Sequence, residues 1–224
     1  MRLSDSYDIP EEVVQGPHSP VFEKFLRNWF GDTYAITHGE LDLTFLKDLT
    51  PEERELAREM IRRNLKLKQT HVIQGVSALH DVAAAPILRR MLDDESDESR
   101  RLTIASTLWK LNGDPVFIEC LNHAKVSHCN LLDGAHLLQV LWLGDERAID
   151  FLIDLLDCKN KDWFVQYQTL GVLNRLEFGR QIAVPAREMP RQPDDYRKRR
   201  HDPAFRELMT AAVRKWNSEM KNGR

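Results

Sequence analysis

The sequence predicts an all-α protein: a right-handed α-solenoid, an alpha-alpha superhelix of stacked helical hairpins. Three observations carry that prediction. Apolar residues recur at helical spacing in one segment after another. The segments repeat: aligned on the leucine that closes each first helix, Leu79, Leu111, Leu143 and Leu176 stand 32, 32 and 33 residues apart. A corner follows three of these leucines and ends on Asp81, Asp114 and Asp145. One pair of short helices cannot bury its own apolar faces, whereas a stack of such pairs makes a continuous core.

Residues 1–18 are polar and broken by Pro10, Gly16 and Pro17, which predicts an extended or mobile arm. Ser19-Pro20 then starts a helix, with Ser as N-cap and Pro at the first helical position. Phe22, Phe25, Leu26, Trp29 and Phe30 follow at helical spacing, and Gly31 stops the run. Residues 19–40 are therefore expected to cap the first end of the array.

The array itself is assigned to residues 41–179. Leu43 to Leu49 predicts a short helix. Thr50-Pro51-Glu52-Glu53 is a capping-box start, and Leu56, Met60 and Ile61 supply the stripe that follows.

In the four aligned copies, Val76, Leu108, Val140 and Leu173 stand three residues before the closing leucine, and Ile73, Ala105, Leu137 and Leu170 stand six before it. These offsets share one helical face. At the corners, Gly113 and Gly144 permit a left-handed backbone, Pro115 suits a first helical position, and each Asp is expected to cap the second helix. Ile87/Leu88, Cys120/Leu121 and Phe151/Leu152 recur in the second helices, with Met91/Leu92 and Leu155/Leu156 one turn on. The middle copy departs there, carrying Ala124 and Lys125.

The fourth copy lacks the corner Asp and runs into a Pro/Arg-rich loop assigned to residues 180–201. Asp202-Pro203 starts a C-terminal capping helix over 202–224, with Phe205, Leu208, Met209, Ala212 and Trp216 as its stripe.

With 224 residues, 42% hydrophobic, the chain is long enough for a substantial core. Its net charge of −3 gives no general bias toward nucleic acid or anionic lipid. The charge is unevenly spread. Residues 180–224 carry 12 Lys/Arg and 6 Asp/Glu, a net of +6, which leaves −9 for the rest. The acidic run Asp93–Glu98 and the basic run Arg197–Arg200 read as solvated loops, or as patches that steer a partner of opposite sign. Three cysteines without a compact pattern, no apolar leader and no span-length apolar stretch predict a soluble cytoplasmic protein without membrane contact.

The leucine-rich first helices, the corners Leu111-Asn-Gly-Asp-Pro115 and Leu143-Gly-Asp-Glu146, and the apolar second helices resemble the HEAT-like repeats, especially the short bacterial kind also found in phycobilisome bilin lyases. The resemblance covers roughly residues 40–179. It implies a stack of hairpins that binds another macromolecule, and leaves the partner open.

Candidate chemistry is sparse. Cys120, His123, His128 and Cys129 offer four ligand types suited to zinc, but Cys120 already holds a core position in the repeat alignment. The iron-dependent hydroxylases of this fold carry His-Glu pairs, and no His-Glu dipeptide occurs here. The helical-repeat DNA glycosylases line a basic groove with aromatics and an Asp; Trp109, Trp142, Trp163 and Asp162 invite that comparison. The acidic repeat region opposes it, because phosphate binding needs clustered Lys/Arg.

The expected function is therefore non-catalytic and without a cofactor: a module that holds another protein, as an adaptor or as an immunity-type inhibitor of a cognate toxin. A nucleic-acid-binding, glycosylase-like protein and a bilin-lyase-like protein are the alternatives. In such stacks the second helices tend to line the concave side. The expected binding ridge is Arg89, Arg90, Glu119, His123, Asp150 and Asp154.

Overall fold

The computed structural model describes residues 6–31, 44–127, 134–157, 163–179 and 191–221, with side chains described in these ranges except at 125–127, 134–136, 163, 220 and 221. The described residues are all-helical, with twelve α-helices and no strand. None of these helices is long and apolar enough to cross a membrane. The chain divides into two compact units, Met1–Asp114 and Pro115–Arg224.

The first unit contains α1 (Glu11–Gln15), α2 (Pro20–Phe30), α3 (Pro51–Asn64), α4 (Thr70–Ala78), α5 (Ala85–Asp93) and α6 (Glu98–Asn112). Ser19 caps α2 through the Phe22 N–H at 3.2 Å. Thr50 and Glu53 close the expected capping box on α3. Glu53 also accepts from the Ser19 N–H and hydroxyl, both at 2.9 Å, so one carboxylate ties two helix starts together. The α2 stripe Phe22, Phe25, Leu26, Trp29 and Phe30 is wholly buried. Helix α4 lies hard against α3 and Trp29. A Cβ at Gly75 would stand 2.8 Å from Ile61 Cδ1 and 3.1 Å from Trp29 Nε1.

The arm expectation needs correction over residues 6–18. The Asp8 N–H donates to Asn64 Oδ1 at 2.8 Å, and Asn64 Nδ2 returns a bond to the Asp8 carbonyl at 3.1 Å. The Tyr7 ring meets Phe30 edge-on, and α1 buries Val13. The polar composition concealed this docking because its anchors are scattered: the Asp8 backbone and carboxylate, the Tyr7 ring and Val13.

The second unit contains α7 (Val116–Ser127), α8 (Gly134–Val140), α9 (Glu146–Leu156), α10 (Trp163–Phe178), α11 (Pro193–Arg199) and α12 (Pro203–Lys221). Helix α11 falls where a loop was expected. Pro193 at its first turn and a capping box between Gln192 and Asp195 start it. On α12 the buried line is Phe205, Met209, Val213 and Asn217, whereas Leu208 is 48% exposed. The stripe follows i, i+4 steps rather than the expected set, because α12 packs on both α9 and α10.

All twelve aligned first-helix positions, from Ile73 to Leu176, are buried. The two units share a packing rule. In the first, α6 packs on α4 and α5; in the second, α10 packs on α8 and α9. Within each unit, that one first helix thus receives both helices of the preceding pair.

The corners repeat in backbone as well. His80, Gly113, Gly144 and Gly179 all take positive φ, at 51°, 73°, 75° and 67°. Glycine adopts this conformation at little steric cost, and histidine manages it in the first copy.

Candidate functional site

The second helices carry the expected ridge, and they begin at the corners. The three corner aspartates differ in their work. Asp145 caps α9 through the Arg147 N–H at 3.0 Å. Asp81 makes no well-formed capping bond. It is buried and faces Arg62 Nε at 3.4 Å. Burial pushes its carboxyl up, against the pull of Arg62 and Arg58. Asp114 is buried and pairs with Arg89.

In the first unit, Arg89 and Arg90 are exposed on α5, beside exposed Val82 and Pro86. In the second unit, Glu119 and His123 are exposed on α7. Like Arg89, which pairs with Asp114, Asp150 and Asp154 are engaged within the chain, both by arginines. Arg206 on α12 takes Asp150 with both terminal nitrogens, at 2.8 and 3.2 Å, and reaches Glu146 at 2.9 Å. Arg200 holds Asp154 at 2.6 Å, and Arg197 holds Asp157 at 2.6 Å.

Glu146, Asp150, Asp154 and Asp157 therefore form an acidic row along α9, matched by three arginines from the C-terminal segment. Asp150 and Glu146 hold the Arg206 guanidinium well above its usual range. Sequence reasoning missed this row. Its signal was the recurrence of acids at i, i+4, i+8 and i+11, opposite a segment with a net charge of +6.

The basic run is thus not a solvated loop: Arg197, Arg199 and Arg200 each meet a carboxylate, Arg199 taking Glu177 at 2.7 Å. The acidic run is not wholly solvated either. Glu95 is buried and meets Lys68 at 3.2 Å and Arg100 at 3.1 Å. With the Asp97 N–H also donating, chiefly Arg100 draws the Glu95 carboxyl down to about 2.

A second polar centre lies under α11. Tyr196 is fully buried, and Glu177 lies against its hydroxyl. Burial, then the Glu177 charge, raises the phenol above its usual range. Tyr196 Oη, Glu177 Oε2 and Arg191 Nε are buried without a well-formed hydrogen bond.

Of the zinc candidates, Cys120 is buried and His123 is exposed, and His128 and Cys129 lie outside the described residues. No group of three His, Cys, Asp or Glu able to hold a metal ion occurs among the described residues. Trp142 packs edge-on against Trp216, with ring centroids 5.5 Å apart, in an aromatic pair within the second unit. Asp162 and the Trp163 side chain lie outside the described residues.

No family model, curated protein or solved structure matches the chain.

Proposed function

We propose that the chain is a non-catalytic helical-repeat module of the HEAT-like, right-handed solenoid kind, and that it binds another protein through the exposed polar residues of its second helices. The recurring corner is the observation that carries this reading. A left-handed residue, an Asp and an exposed second-helix face follow each of the first two buried first-helix stripes. Repeats of this construction spend their apolar surface on one another and leave the second-helix surface for recognition. Arg90 in the first unit and Glu119 and His123 in the second are exposed there and differ in sign, which suits a protein surface better than a phosphate backbone. The basic run is also engaged by Asp154, Asp157 and Glu177, which weakens the nucleic-acid alternative.

A photo-crosslinking amino acid placed at Arg90 and at Glu119 in the source cell tests this. The same group at Glu219, exposed on α12, is the control. The expected result is a protein adduct at one or both test positions that resists nuclease and is missing at Glu219. An adduct lost on nuclease treatment, or none above the control, overturns the reading.

A further inference from the structure

We propose that residues 191–200 form an electrostatically fastened strap, which lifts from α9 and α10 independently of α12. The two helices of the C-terminal segment are held by different forces. Helix α12 carries the Arg206–Asp150 pair but also buries Phe205, Met209 and Val213, an apolar hold that is not screened by salt. Helix α11 buries one side chain, Tyr196. Its other fastenings are made by arginines: Arg197 with Asp157 and the Leu156 carbonyl, Arg199 with Glu177 and over the Phe205 ring, and Arg200 with Asp154. In the Arg197–Asp157 and Arg200–Asp154 pairs both partners are partly exposed, so ions compete for them.

The single buried anchor is itself compromised. Tyr196 Oη lies in the polar centre against Glu177, where Arg191 Nε stands 3.5 Å from Glu177 Oε1 and neither Oη nor Glu177 Oε2 makes a well-formed hydrogen bond. Burying such groups costs free energy that an open strap recovers by hydration. The closed strap is therefore poised.

Its ends are fixed by contacts that salt does not screen. Asn174, fully buried, accepts from the Arg191 N–H at 3.1 Å and donates to the Arg191 carbonyl at 3.3 Å. At the other end, Phe205 is seated in the core. A segment pinned at both ends and fastened by charge between them lifts as a unit. Lifting frees Asp154, Asp157 and Glu177 from their arginines. On the protein-binding reading above, that row is a masked acidic face, open to an arginine-rich segment of a partner only when the strap is up.

Hydrogen exchange on the full chain tests the strap without any partner. Between about 20 mM and about 0.5 M sodium chloride the Debye length shrinks severalfold. Residues 194–200 are expected to exchange about tenfold faster at the higher salt, with α12 unchanged. The pair Arg197→Ala and Arg200→Ala gives fast exchange at low salt and removes most of the salt response. Tyr196→Phe keeps the ring and deletes the poorly bonded hydroxyl, so it slows exchange. Three results overturn the proposal: α11 and α12 exchanging together at both salts, salt indifference in the wild type, or faster exchange in Tyr196→Phe. A passed test stands even if the crosslinking experiment fails, because strap opening needs no partner.

Discussion

Arg206 grips Asp150 with both terminal nitrogens, at 2.8 and 3.2 Å, across 56 residues of sequence. The same side chain reaches Glu146 at 2.9 Å, one turn earlier on α9. Asp150 is therefore part of what fastens α12 to α9. Reversing its charge sets a lysine against the guanidinium. Asp150→Lys is expected to destabilise the second unit by about 1–2 kcal/mol. Glu119→Lys, at an exposed site on α7, should change stability by no more than about 0.5 kcal/mol. Denaturant midpoints compare the two. Equal midpoints would show that the Arg206 fork contributes nothing; a lower midpoint for Asp150→Lys leaves only Glu119 as a clean probe of binding.

Two corner glycines make a matched pair. Gly113 and Gly144 have nearly the same φ, 73° and 75°, but a Cβ at Gly113 meets nothing within 4 Å, and one at Gly144 stands 2.8 Å from Asn217 Nδ2. Asn217 Nδ2 donates to the Trp142 carbonyl at 3.2 Å. Gly113→Ala should cost about 1 kcal/mol for the left-handed backbone alone. Gly144→Ala should cost about 2–3 kcal/mol, because Asn217 must also shift from its bond. Equilibrium unfolding of the two variants would reveal the difference, and a reversed order would contradict the packing of α12 on this corner.

Glu53 serves two helix starts through Ser19 and Thr50. Glu53→Ala should destabilise the first unit by about 1–3 kcal/mol, more than Thr50→Ala, which removes one cap at about 1 kcal/mol. Thermal melts of the pair decide it. Equal losses would mean that the link to Ser19 contributes nothing.

His71 is buried beside Tyr7, and burial lowers its pKa from 6.5 to about 4. The unfolded chain then binds more protons than the folded chain between these values. Stability is full above about pH 6.5, falls as the pH drops, and levels off below about 4, a loss of roughly 1–3 kcal/mol. Glu95 contributes below that range, between about pH 4.5 and 2, where its carboxyl, drawn down to about 2, is protonated in the unfolded chain and ionised in the folded one. His71→Gln should flatten the slope between pH 6.5 and 4 and leave the carboxylate component below it. An unchanged slope in denaturation curves taken across that range would exclude His71 as its source.

The helices, their buried stripes and their corners were legible because each rests on residues within a few turns. Leu79, Leu111, Leu143 and Leu176 mark one face by spacing alone, and Gly113 and Gly144 mark left-handed corners by chemistry alone. Ser19 and Thr50 announced two helix starts in the same local way. Asp81 also faces Arg62, 19 positions away, at 3.4 Å, a pairing that local spacing could not show.

The candidate ridge was legible only as a set of positions. Periodicity placed Arg89, Arg90, Glu119, His123, Asp150 and Asp154 off the buried stripe, which is as far as a helical repeat can speak. Whether a charge off the stripe meets solvent or another side chain depends on segments far away in the chain.

The sequence by itself determined an all-helical chain, the repeat and the apolar faces, because helix spacing, capping and left-handed corners are short-range effects. Only the tertiary structure decided which charges remain open. Arg89 is paired with Asp114 and Arg206 with Asp150, 25 and 56 residues apart, while Glu119 stays exposed. Coulomb attraction between side chains acts through space, so its pairings are set when the helices pack.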